Sequence, residues 1–154
     1  MSFTPAKLNA YLITNLPSAW LTGVRVKHID ADSCKVGVKH SWINQNPFKS
    51  MYFAVQAMAA ELSTGALVMQ QIKESNRKVS MLVAQNKAVF TKKAKGKIIF
   101  SCVDGHLVNR AIEATIANGQ GQTFWMKSTG LDQTGAVVSE FDFEWTVKLK
   151  EKNR

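Results

Sequence analysis

The sequence predicts an α+β fold of two layers, an antiparallel sheet wrapped around one long central helix. Three observations carry this. From Met51 to Gln70, the residues Met51, Val55, Met58, Leu62, Gly65 and Met69 recur at steps of four and three, the spacing of one helical face. Small side chains flank that stripe at Ala54, Ala57 and Thr64, with the carboxylate of Glu61 among them. They let the helix axis approach a neighbouring layer closely. From Val137 to Leu149, apolar positions alternate with charged or polar ones, as in a strand with one covered face. Ser139 is the one polar residue on the apolar side. Further β-patterned segments stand on both sides of the helix.

Taken in order, Thr4 and Pro5 are a helix N-cap and first position, and Leu8, Leu12 and Leu16 share a face. This predicts a helix over about 4–16, stopped by Pro17. Two strands follow: Leu21 to Ile29, and one carrying Cys34, Val36 and Val38, joined by the turn Asp30-Ala31-Asp32-Ser33. HSWINQNPFK reads as a loop before the central helix at about 51–70. After it come strands at Lys78 to Phe90, Lys97 to Val103, Gln122 to Leu131 and Val137 to Leu149. The segment His106 to Ala117 fits either a short helix or an extended stretch.

The chain has 154 residues, which suits one domain over 1–154. With 45% hydrophobic and 20% charged residues it is neither disordered nor collagen-like. Cys34 and Cys102 are too few for a disulfide scaffold, and neither they nor His28, His40 and His106 have metal-ligand spacing, so no metal and no cofactor are expected. The N-terminal stretch has one basic residue before Trp20 and no continuous apolar core. No run approaches the roughly 18 apolar residues that span a bilayer. These features predict a cytoplasmic protein with reduced thiols and no membrane insertion.

Twenty Lys+Arg against eleven Asp+Glu give a formal charge of +9, which attracts phosphates. Nucleic acid is disfavoured as the partner, because no helix-turn-helix, zinc-finger or aromatic–basic sheet signature accompanies the charge. The basic residues Arg77, Lys78, Lys92, Lys93 and Lys95 flank the two ends of one predicted strand. They suit the phosphates of a coenzyme, or a solvated edge that deters strand-on-strand association.

The most specific segment is Asn46 to Glu61, NPFKSMYFAVQAMAAE. With its neighbouring elements it resembles the hotdog fold, over roughly Ala19 to Lys150. Hotdog thioesterases of the phenylacetyl-CoA type carry N-x-x-G-x-x-H-G-G and then a helical acid. In that family the Asn lies fifteen and the His nine residues before the acid. Asn46 and Tyr52 stand at those distances from Glu61. The family's first Gly falls on Lys49, its His on Tyr52, and its Gly-Gly on Phe53-Ala54. Tyr-x-Ala with a helical Glu is similar to a divergent branch filed as a domain of unknown function.

The resemblance implies a catalytic Glu61 acting as base or nucleophile, with Asn46 orienting water or the carbonyl. It implies that the N–H groups of Phe53 and Ala54 hold the thioester oxygen, with Tyr52 beside them. Ser80 would reach a neighbouring subunit's site, and Lys92, Lys93 and Lys95 would meet the phosphates of coenzyme A. It implies a homodimer with sheets joined edge to edge, leaving tetramers open. The expected function is acyl-CoA thioester hydrolysis. The alternatives are a non-catalytic acyl-CoA or lipid-binding module and, more distantly, a nucleic-acid-binding domain. Hydration of enoyl-CoA is excluded, because no Asp has a His five residues later. Each site residue also has a bland reading: Glu61 as an interface residue, Asn46-Pro47 as a turn, Tyr52 as a packing aromatic.

Overall fold

The computed structural model describes residues 3–150, so positions 1–2 and 151–154 of the expected 1–154 span lie outside the described residues. Helix α1 (Pro5–Asn15) begins as expected: the Thr4 hydroxyl accepts from the Lys7 N–H at 3.2 Å and Pro5 opens the helix. Leu8 and Leu12 are buried, and Asn9 clamps Val26 through both its amide nitrogen and its oxygen. Pro17 does end α1, but it also starts a second helix, α2 (Pro17–Leu21). Proline is favoured at a first helical position, where its missing N–H would have no partner. The first strand is therefore shorter than expected. Leu21 closes α2, Gly23 turns the chain at φ 93°, and β1 covers Arg25–Ile29.

The remaining elements are β2 (Cys34–Lys39), a 3-10 turn at Trp42–Asn44 and α3 (Phe53–Glu74), then β3 (Val79–Phe90), β4 (Lys97–Cys102), α4 (Gly105–Asn118), β5 (Gln122–Leu131) and β6 (Val137–Leu149). One antiparallel sheet runs β1-β2-β4-β5-β6-β3 and wraps α3, giving the expected hotdog architecture. Among the described residues β3 pairs only with β6, so its other edge is open there.

The open choice at 106–117 resolves as a helix. Val108, Ala111, Ile112 and Thr115 are buried at helical spacing, and Gly119 ends the helix at φ 70°. Along β6 the alternation holds from Ser139 to Val147, but Val137 is exposed and Val138 takes the buried place. Cys34 and Cys102 are register partners across β2 and β4; both are free and buried, which pushes each thiol up to about 12. Among the described residues no helix is long and apolar enough to cross a membrane.

α3 starts later than its apolar stripe suggests. Met51 is held outside it by a bridge to Gln45 and by its N–H donating to the Ala94 carbonyl at 2.9 Å. The helix is also buried more broadly than one stripe. Ala59, Ala60, Ser63 and Ala66 have no measurable exposure, whereas Ala54 and Ala57 are only half-buried. The close approach is thus made by the former set, and Ala54 and Ala57 border an open strip.

Candidate active site at the start of the central helix

The loop before α3 is built by one side chain. The Asn46 Oδ1 accepts from the N–H groups of Phe48 (2.9 Å) and Ser50 (3.2 Å), and its Nδ2 donates to the Ser50 Oγ at 3.0 Å. The Asn46 N–H donates to the Ser50 carbonyl at 2.8 Å. An asparagine is suited to this because its short side chain reaches backbone groups two to four residues on. Lys49 sits in the left-handed region, at φ 57°. The residue that replaces the motif's first glycine therefore keeps a conformation that glycine adopts without strain.

The turn delivers the chain to Tyr52, which caps α3 without a side-chain hydrogen bond. The first N–H groups satisfied within the helix are those of Val55 and Gln56, both on the Tyr52 carbonyl. Those of Phe53 and Ala54 have no acceptor among the described residues. A 22-residue helix focuses positive potential at this end, and its first turn holds no acid.

A groove of about 460 Å³ opens here, bordered by Asn46, Tyr52, Phe53, Lys92 and Lys93. Five of the nine expected site residues are thus brought together. Edge-to-face rings lead inward from it: Tyr52 to Phe53 (5.0 Å), Phe53 to Phe90 (6.2 Å), Phe90 to Phe141 (5.6 Å). Lys93 Nζ stands 5.9 Å from the Phe48 ring. Lys92 is already engaged with Asp132 at 2.6 Å, and this contact holds the Asp132 carboxyl well below the usual carboxylate range.

Glu61 is not in this groove. It lies eight residues along α3 from Phe53, on the half-buried strip it shares with Ala54, Ala57 and Met58. Its carboxylate has no hydrogen bond or ion pair among the described residues, and burial raises its pKa. Gly65 makes the space for it: a Cβ there would stand 3.3 Å from Glu61 Oε1 and 3.1 Å from the Trp145 ring. Trp145 is fixed in turn by its indole N–H donating to the Thr64 hydroxyl at 3.0 Å.

Two other expected residues lie apart. Ser80 is at the far end of β3 from Phe90, ~33 Å away at strand rise, and its hydroxyl donates to the Lys148 carbonyl at 3.2 Å. Lys95 is exposed and outside the groove. Gln56 was not anticipated. It is buried, borders the groove, and accepts from the Ser139 hydroxyl at 2.7 Å. The visible signal was Ser139 itself, the polar residue on an apolar strand face. Among the described residues no three His, Cys, Asp or Glu side chains group as a metal site.

The family model described as "Domain of unknown function (DUF4442)" matches residues 6–147. No curated protein matches the chain. Among solved structures, a Pseudomonas aeruginosa protein of unknown function, described as a probable thioesterase, superposes with a TM-score of 0.81 at 20% identity, over 97% of this chain and 99% of that one. A Chlorobaculum tepidum protein of unknown function gives 0.81 at 13%, over 97% and 99%. A thioesterase from Haemophilus influenzae gives 0.73 at 13%, over 100% of this chain and 97% of that one. The chain belongs to the DUF4442 family and has a hotdog fold, shared with these structures.

Proposed function

We propose that this protein hydrolyses an acyl thioester, with acyl-CoA as substrate, through a water that Glu61 activates. The observation that carries the reading is the unpaired, desolvated carboxylate of Glu61 on the same helix as two unsatisfied N–H groups. Desolvation moves a carboxylate toward the neutral range in which a general base works. In the reaction, the water oxygen bonds to the thioester carbonyl carbon as Glu61 takes the water's proton. The oxygen of the tetrahedral intermediate is held by the N–H groups of Phe53 and Ala54. Collapse breaks the C–S bond, and the thiolate leaves with the proton that Glu61 returns.

Helix geometry adds a requirement. Eight residues at 1.5 Å each separate Glu61 from the Phe53 N–H by ~12 Å along the axis. One carbonyl cannot sit within about 3 Å of the amides and also beside the water on Glu61 of the same chain. A second copy resolves this by presenting its own helix start. The open edge of β3, with Leu82, Val89 and Phe90 exposed, supports such a homodimer. Antiparallel pairing of β3 with its copy would set Ser80 near the Phe90 end of the partner subunit. Asn46 is a positioning residue, holding the turn from which the amides emerge. Lys93, which has no ion pair among the described residues, serves the coenzyme phosphates with Lys95, and Lys92 stands beside them.

The test is an acyl-CoA panel with free-thiol detection. Turnover by the parent, with loss in Glu61→Gln, supports the reading. Tight acyl-CoA binding with no thiol release at high protein concentration replaces it with the binding-module reading. That alternative is favoured by one feature, the half-exposed rings of Tyr52 and Phe53 over the helix start.

A further inference from the structure

We propose that the end of the molecule formed by α2, the 3-10 turn and the Asn46–Ser50 loop docks on an anionic lipid surface. Four large apolar side chains project there: Trp42 is 84% exposed, Phe48 71%, Leu21 65% and Ile43 53%. They belong to separate stretches of chain that buried Asn44 ties together. Its Nδ2 donates to the carbonyls of Thr22 and Lys39, both at 2.9 Å, and its carbonyl accepts from the Tyr52 N–H at 2.9 Å. Exposed side chains of this size, held on rigid backbone, are costly in water and mark a surface that meets something apolar.

The charge at the same end selects the occupant. Lys39 and Lys97 are register partners on β2 and β4, the His40 N–H donates to the Gly96 carbonyl, and the Met51 N–H to that of Ala94. These links bring the backbones of Lys39, Lys49, Lys93, Lys95 and Lys97 to the same end, with Lys93 Nζ 5.9 Å from the Phe48 ring. No Asp or Glu occurs from residue 39 to 60 or from 79 to 103, and none from 1 to 29. Asp132, an acid that reaches this end, is held by Lys92. Projecting Trp and Phe near lysines, with Asp132 already paired, is the chemistry of the boundary between headgroups and acyl chains. The rings enter the boundary and the ammonium groups stay with anionic headgroups. A second copy has a better-suited seat on the open edge of β3, where unpaired backbone groups wait. The groove is bordered by Phe48 and Lys93, so docking would set its mouth against the lipid.

This inference shares Lys93, Lys95 and the groove with the proposed coenzyme site but does not require hydrolysis, and its test measures no turnover. The full chain is sedimented with phosphatidylcholine vesicles, and with vesicles in which about one-third of the lipid is phosphatidylglycerol. We expect at least ~10-fold tighter binding to the anionic vesicles, weakening as salt rises. Trp42→Ser with Phe48→Ser should lower it ~10-fold or more with the melting temperature unchanged, since both side chains are exposed. Lys39→Glu, Lys95→Glu and Lys97→Glu together should do the same, whereas Lys35→Glu, Lys73→Glu and Lys78→Glu should cost far less.

Absence of anionic-vesicle binding by the parent overturns the proposal. So does binding by the serine pair at the parent level, or an equal loss from the two lysine sets. A serine pair that lowers the mass in solution would make this end a contact between copies. Capture of an acidic acyl carrier protein, abolished by that pair while vesicles go unbound, would make the partner a protein. Either result overturns the lipid assignment.

Discussion

The two halves of α3 treat their polar groups differently. From Leu62 onward, every buried polar side chain has a partner inside the chain. Ser63 meets the Ser128 hydroxyl at 2.7 Å, Thr64 accepts from the Trp145 indole, and Gln70 donates to the Asp30 carbonyl at 2.7 Å. In the first half Gln56 is satisfied by Ser139, but Glu61 has lost much of its water and gained no partner among the described residues. Tyr52 and Phe53 stand exposed beside N–H groups that have no acceptor among the described residues. A satisfied buried polar group holds a fold together; an unsatisfied one lowers stability and so points to a use. By this criterion the second half is scaffold, and the first carries the proposed site.

The contrast breaks most sharply at Glu61. Glu61→Gln keeps the shape and removes the base, so thioester turnover should fall by about 10²–10⁴-fold, while thermal denaturation shows stability held or slightly raised. Turnover at the parent rate would return Glu61 to the scaffold. The same residue sets a pH signature. Its folded-state pKa lies above the unfolded value, so the folded chain holds the proton more tightly. Stability should be greatest below the ordinary carboxylate range and decline as pH rises through the window up to the raised value. Glu61→Gln should flatten that decline in denaturant titrations at a series of pH values. The acid limb of the turnover profile should lie above the ordinary carboxylate range for the same reason.

Thr64→Val probes the other half. It leaves the buried Trp145 N–H without an acceptor and should cost ~1–3 kcal/mol in equilibrium unfolding. Activity per folded molecule should change far less than in Glu61→Gln. A loss of turnover at unchanged stability would mean that the second half also serves the chemistry. The smallest expected effect is at Lys49. Lys49→Gly removes left-handed strain of ~1 kcal/mol but loosens the unfolded chain by a similar amount. The net change in unfolding free energy should therefore be under ~1 kcal/mol, with the groove intact.

What was legible in the sequence follows from what periodicity records. β5 and β6 match their expected spans because an alternating face on a covered sheet is written residue by residue. α4 was ambiguous because its segment mixes β-branched and small residues, and tertiary burial of Val108, Ala111, Ile112 and Thr115 decides it. α2 was missed because Pro17 can both stop one helix and start another. Spacing singled out Asn46, Tyr52 and Glu61 as candidates but could not show that Asn46 spends its side chain on its own loop. Nor could it show Lys92 paired with Asp132, forty residues away in sequence. Contacts of that range leave no local periodicity.

The Asn46–Ser50 turn has a consequence for sequence drift. Its shape is maintained by Asn46 and Ser50 at its two ends, through hydrogen bonds to backbone and to one another. The left-handed position at Lys49 lies between these anchors and is carried by them. Pro47, Phe48 and Lys49 are exposed, so substitutions there leave the anchoring bonds in place. A glycine at the fourth position is then not necessary for this turn. Chains that keep the asparagine and the serine can exchange the three residues between them, and with them the chemistry of the surface, while the helix start stays where it is.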